Sequence, residues 1–266
     1  MGRLFRLAGV IGLLLLGAGC TGDPDAADEP GDDEEASEGA TAAGTVYSLS
    51  LKGCSTSIVR ALTDQLVGEI ACAAPGSLSS IESIPNVELD PEVVPMVQTP
   101  LVKALADAAL ANGKPMKITS ALRTLPQQYL LRRWAANKRC GVTVAASVGE
   151  SNHEGGMAVD ISIAGGAQAN KKIRASMAAH QFTWLGADDP VHYDYNGTGV
   201  PLQGMSVIAF KRLWNRNHPE ARLAEDETYN ATVEAKLKAS PAAGFPIGAR
   251  CDSAGRPEAD RGGKAP

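Results

Sequence analysis

Four histidines occur in the 266-residue chain, and two of them stand where chemistry could be done. His153 lies seven residues before Asp160, across the Gly155-Gly156 turn. His192 follows a turn that carries Asp188 and Asp189. Two imidazoles and one carboxylate are a good donor set for zinc, with a fourth position left for water. Zinc held in this way lowers the pKa of its water to about 7 and polarises a carbonyl, which together suit amide hydrolysis. Hydrolysis also needs a proton carrier and a group to meet developing negative charge. Asp189, three residues before His192, can serve as the first, with Asp188 as its competitor. Arg123, whose fork is always charged, is the candidate for the second. Spacing alone leaves a plainer reading open, because a lone His is commonly packed or solvated and an Asp in a strand commonly binds backbone.

The elements around these residues must bring them together. Met116–Ser120 alternates as a short strand leading to Arg123, and Thr124 can cap a helix over about 125–139. A loop over 141–156 ends in Ser151-Asn-His-Glu-Gly-Gly156. Residues 157–163 alternate again, so Asp160 should face away from its apolar neighbours. A helix over about 169–179, a strand at 182–185 and a turn at Gly186–Pro190 lead to a last strand, 191–195. If these strands pair side by side, the two histidines and Asp160 converge. Upstream, residues 55–70 place Ile58, Val59, Leu62, Leu66 and Ile70 on one helical face. Residues 73–98 read as an extended connector, and Thr99-Pro100 opens a helix that Gly113 closes. After Gly197–Pro201 the pattern turns helical, with Val207, Phe210 and Trp214 at helical spacing and a further helix over about 228–238. Helices mixed with short strands and few helical crossovers predict an α+β fold.

The ends of the chain speak of location. Arg3 and Arg6, an apolar run from Leu7 to Leu16 and small residues before Cys20 read as a secretory signal over residues 1–20. The layout resembles a lipobox, which would make Cys20 the lipidated first residue of the mature chain, although Gly17 stands where Leu is usual. Plain secretion is the alternative. Residues 21–44 hold nine acidic residues and no basic one, the composition of a disordered tether. Without the signal and tether, 23 basic residues face 21 acidic ones over 45–266. That balance gives no basic face for nucleic acid. Residues 252–266 have the texture of a disordered tail. Cys54, Cys72, Cys140 and Cys251 form an even set in an exported chain, with no C-x-x-C spacing for a metal cluster, so disulfides are expected. Four cysteines allow three connectivities; Cys54–Cys72 with Cys140–Cys251 is the expected one, since the first pair brackets a single helix-sized segment.

Three motifs over about residues 98–196 carry a resemblance. Ser151-x-His153-x-x-Gly156-x-Ala158-x-Asp160 matches the S-x-H-x-x-G-x-A-x-D signature of the zinc D-alanyl-D-alanine carboxypeptidase family, which includes VanY-like and VanX-like enzymes. Asp189-Pro-Val-His192-Tyr-Asp-Tyr195 is similar to that family's E-P-W-H-x-x-Y segment. Ser120-Ala-Leu-Arg123-Thr-x-x-Gln127-Gln128 resembles its S-x-x-R-x-x-x-x-Q segment. The resemblance implies zinc ligands His153, Asp160 and His192, an acid/base at Asp189, and Arg123 at the substrate carbonyl, with Ser151 and Gln127 lining the substrate site. It also implies a small antiparallel sheet flanked by helices, of the D,D-peptidase and Hedgehog-like kind. Two positions depart from the pattern, Asp189 for Glu and Val191 for Trp. The shorter Asp occurs in relatives that cut L-alanyl-D-glutamate bonds.

The zinc peptidase domain is expected over 45–200 and a helical element over 201–251. The latter, with Ala209-Phe-Lys-Arg-Leu-Trp-Asn215 and Glu225-Asp226, resembles half of a peptidoglycan-binding module, although Glu227 and Asn230 replace its two glycines. A flank that merely packs Phe210 and Trp214 on the core is the alternative. The expected function is a D,D-carboxypeptidase acting on peptidoglycan stem peptides in a bacterial envelope, membrane-attached through lipid alone. The competing expectations are a non-catalytic wall-binding lipoprotein and an L-alanyl-D-glutamate endopeptidase.

Overall fold

The computed structural model describes residues 44–256. The signal-like segment, Cys20, the acidic tract up to residue 43 and the tail from residue 257 lie outside the described residues. Helix α1 (Val46–Ser50) leads through a 3₁₀ turn (Thr56–Val59) into α2 (Arg60–Ala73). Strands β1 (Leu78–Ser80), β2 (Val87–Leu89) and β3 (Met96–Gln98) follow. These three lie inside the segment expected to be a plain connector. Each is only three residues long, too short to leave a period in a stretch rich in Pro, Ser and Gly.

Helix α3 (Thr99–Asn112) begins with Pro100 in its first turn and ends on Gly113, at φ 64°. Strand β4 (Met116–Ser120) leads to α4 (Leu125–Ala136), whose start carries a capping box: Thr124 and Gln127 satisfy each other's backbone N–H groups. Then come β5 (Ala158–Ile161), α5 (Gly166–Ala179), β6 (Phe182–Trp184), β7 (His192–Tyr195), α6 (Met205–Asn217) and α7 (Ala231–Ala239).

The fold is α+β, as its element order implies. Five strands form one sheet in the order β2-β4-β5-β7-β6. Every neighbouring pair is antiparallel except β2 and β4, which run parallel. The sheet is therefore mixed rather than antiparallel, because α3 lies between β2 and β4 in the chain and acts as a crossover. Strands β1 and β3 make a separate two-stranded sheet.

Two apolar cores divide the molecule. One face of the sheet and helices α3 and α5 bury Leu101, Leu105, Met116, Ile118, Val159, Ile161, Met177 and Tyr193. The helical half gathers Leu62, Leu66, Leu130, Trp134, Phe210, Trp214 and Leu237 from α2, α4, α6 and α7. Residues 201–251 thus share a core with α2 and α4. Lys211 on α6 is buried, yet its ammonium donates to Asp226 Oδ1 and to the Asp226 and Thr228 carbonyls. That cation fixes the loop before α7, and Asn230 caps the helix by accepting from Val233 N–H. At Gly68 any Cβ would overlap the Cys251 carbonyl, so only glycine lets the C-terminal segment lie on α2.

The disulfides join Cys54 to Cys140 and Cys72 to Cys251, not the expected partners. Cys54 precedes α2 and Cys72 sits in its last turn. A 14-residue helix spans about 21 Å, whereas bridged Cα atoms lie about 4.4–6.8 Å apart. Bracketing a helix therefore argues against pairing its ends. Across the fold the observed partners have Cα separations of 5.1 and 5.4 Å.

Candidate metal centre

The register of the sheet sets most of the site. Asp160 on β5 lies opposite His192 on β7 and, on the other side, opposite Ser120 on β4. Its neighbours Val159 and Ile161 are fully buried in the sheet core, so the strand's alternation turns Asp160 to the other face. His153 arrives from the loop before β5 and is almost wholly buried. Its carbonyl accepts the N–H groups of Arg123 and Gly156, at 3.1 and 3.0 Å. Gly156 needs its positive φ of 68° at that turn.

Three donor atoms meet on this face. His153 Nε2, Asp160 Oδ1 and His192 Nδ1 form a triangle with sides of 3.1 Å. The outer nitrogens fix the tautomers. His153 Nδ1 lies 2.7 Å from the Ala121 carbonyl, which can only accept, so this nitrogen donates. His192 Nε2 lies 2.7 Å from Asp194 Oδ1 and likewise donates. The two inner nitrogens of the neutral rings then point lone pairs at each other and at a carboxylate oxygen. Such a convergence of acceptors calls for a cation. Tetrahedral zinc with bonds of about 2.0–2.2 Å separates its ligand atoms by about 3.3–3.6 Å, close to the observed triangle. The donor set fits a metal ion. Burial opposes charge on His192, but the hydrogen bonds and charges of Asp160 and Asp194 outweigh it and push the ring up to about 9. Burial also disfavours ionised Asp160, yet His153, His192 and Arg123 together hold its carboxyl well below the usual range. On His153 burial and the Arg123 charge act together to lower the pKa.

Arg123 holds the second oxygen of Asp160, at 3.2 Å, with the same nitrogen that reaches Ser120 Oγ at 3.0 Å. Its other terminal nitrogen donates to Gln128 Oε1 at 3.1 Å. Gln128, and not Gln127, is thus the glutamine that orients the arginine. Gln127 is buried with its side-chain oxygen on Thr124 N–H, a capping duty, although it also borders the adjoining cleft. Ser151 is buried beside His153; its N–H donates to Glu154 Oε2 and its carbonyl accepts from Gln203 Nε2. Burial pushes Glu154 up to about 7 despite the N–H groups of Gly149 and Ser151 that bind it. Asp189 is half-buried, and burial together with Asp160 raises its carboxyl, whereas Asp188 stands in solvent.

A cleft of about 330 Å³ opens beside Asp160 and Arg123 and runs over Ser120 and Leu122 towards Asp90, Glu92 and Val94. A chain segment lying there would reach Asp160 and Arg123 at one end. The described residues therefore define an α+β protein in which two histidines and an aspartate could hold a metal ion, the aspartate bordering a cleft. No family model matches the chain, and no curated protein matches it.

Asp194 is a residue of the candidate site that spacing arguments passed over. Its signal was present: two places after His192 on a strand, it had to share that ligand's face. It accepts from the ring and from Asn152 Nδ2 at 2.8 Å, so it orients the imidazole while being oriented itself.

Proposed function

We propose that this chain is a zinc-dependent D-alanyl-D-alanine carboxypeptidase that acts on peptidoglycan stem peptides in the bacterial envelope, tethered through Cys20. The observation that carries the reading is the 3.1 Å triangle of two imidazole lone pairs and one carboxylate oxygen. The three sequence motifs supply the choice of substrate.

His153, Asp160 and His192 would hold the zinc, which supplies Lewis-acid polarisation of a carbonyl and a lowered pKa for water. The residues around it have separable tasks. Arg123, kept in place by Gln128 and Ser120, carries the positive charge that meets an anionic oxygen at the scissile bond. Asp189 takes a proton from the attacking water and returns it to the leaving amine. Its raised pKa makes it a better proton carrier near neutrality than an ordinary aspartate. The cleft beside Arg123 would hold the rest of the stem peptide.

The deciding experiment incubates the soluble chain with purified stem pentapeptide, with and without a chelator. Release of one D-alanine, stopped by the chelator and restored by zinc, is the expected result. Asp189 in place of the family's Glu favours a second reading, an endopeptidase cutting an internal stem-peptide bond. Mass analysis of digested muropeptides separates the two. A protein that binds wall fragments but cuts no bond in either assay would end both readings.

A further inference from the structure

A second concavity, of about 670 Å³, shares no residue with the metal centre or its cleft. It lies between the last turns of α2, the C-terminal half of α6, the loop after α6 and the segment before Cys251. Its walls bring Arg212, Arg216, Arg222 and Arg250 together with two carboxylates, Glu69 and Glu225. The arginines come from three separate stretches of chain, so they are not one solvated helix face.

Arg216 pairs with Glu69 at 2.8 Å, both side chains largely buried, and Glu69 also accepts the Arg250 backbone N–H. That carboxylate is fully engaged. Glu225 alone answers the remaining guanidiniums, at 3.4 Å from Arg212 and 3.5 Å from Arg222, and it also accepts from Asn215 Nδ2. Among the described residues the Arg250 guanidinium meets no carboxylate at ion-pair distance. Arg216 Nε is buried without any partner. Two positive charges are therefore in surplus around one concavity, in a folded region otherwise close to neutral. Guanidinium forks match the oxygen pairs of phosphate, and several forks around one hollow suit a multiply charged anion.

We propose that this pocket binds a phosphate-bearing anion, and that Arg222 and Arg250 are its principal contacts. The test is independent of peptidase activity. The purified full chain, loaded with zinc, is titrated with pyrophosphate by calorimetry at low and at raised ionic strength. Saturable binding that weakens with salt is expected. Arg222→Gln combined with Arg250→Gln should weaken it by about tenfold or more, as loss of charge-assisted hydrogen bonds implies. Both residues are exposed, so the melting temperature and zinc content should stay unchanged. Co-sedimentation of the unacylated protein with phosphatidylglycerol vesicles, against phosphatidylcholine alone, identifies the source of the phosphate. Vesicle binding lost in the double variant points to a lipid headgroup; pyrophosphate binding without vesicle binding points to a soluble ligand. Absence of binding in both arms would overturn the proposal. Binding undiminished in the double variant would do so too, since pyrophosphate would then be sitting on the metal.

Discussion

Both disulfides lie in the helical half, and both close long stretches of chain, 86 and 179 residues apart in sequence. The sheet half has no disulfide among the described residues, and there the three side chains that could hold a metal gather instead. Strand pairing explains the division. Backbone hydrogen bonds between β5 and β7 already place Asp160 opposite His192, so two of the three donors need no covalent help. Helices have no such register. Side-chain packing sets how they sit, and the two bridges add covalent ties, from the stretch before α2 to the stretch after α4 and from α2 to the C-terminal segment. The third donor, His153, comes from a loop and is the place where the two halves meet. Its ring leans on Ala121 and its carbonyl on Arg123, at the junction from β4 into α4. The site thus borrows precision from the sheet and depends on the helical half for one ligand.

The sharpest way to break that comparison is His153→Ala. One of three donors disappears, and zinc should fall from one equivalent per chain to background by elemental analysis, with turnover falling alongside. Retention of a full equivalent would mean that the pair from the sheet suffices and that the loop is dispensable. Asp189→Asn comes next. The zinc ligands are untouched, so metal content should stay at one equivalent while kcat for D-alanine release drops by about 10²–10⁴-fold, the usual contribution of a positioned proton carrier. Equal activity in the variant would remove Asp189 from the chemistry.

The third prediction bears on the other half. Replacing Cys72 and Cys251 together by Ala should cost about 2–5 kcal/mol of stability, read from denaturant midpoints. Zinc stoichiometry at temperatures well below the new midpoint should hold, because no ligand lies on α2 or the C-terminal segment. Loss of zinc from a still-folded variant would show that the two halves are coupled more tightly than their separate cores imply.

The candidate site was more legible in the sequence than the frame around it. His153, Asp160 and His192 stand in a loop and two alternating segments, and period-two alternation says which face each strand residue takes. Arg123 was readable too, because it sits just past a strand whose end is marked by Ser120. The neighbouring glutamine was harder. Gln127 and Gln128 are adjacent in a helix start, and which of them reaches Arg123 depends on how the backbone turns at Thr124, where Gln127 completes the capping box. Short strands escaped notice for want of length, as β2 shows: its three residues pair in parallel with β4 only because α3 carries the chain across. The disulfide partners lay beyond local pattern altogether. Cys54 finds Cys140 through the packing of α1 and α4, where Trp134 Nε1 and Arg139 both donate to the Ser50 carbonyl. Such contacts belong to the tertiary fold, and no spacing in the sequence announces them.

The smallest expected effect tests how far the sheet alone tunes its ligands. Asp194 shares a strand with His192, and its Oδ1 lies 2.7 Å from the ring nitrogen that faces away from the triangle. Two consequences follow from that one contact. The carboxylate fixes the tautomer, leaving Nδ1 with a lone pair for metal, and its charge makes the imidazole a stronger donor. Asn in place of Asp194 keeps the shape and an accepting oxygen but removes the charge. Zinc should still bind at one equivalent, with affinity reduced by about 10–100-fold in a competition titration with a chromogenic chelator. Asn152, which donates to the same oxygen, should matter less, since its amide carries no charge and serves to hold Asp194 in place. If Asp194→Asn left affinity unchanged while Asn152→Ala lowered it, the loop before β5 and not strand β7 would be setting the strength of the site.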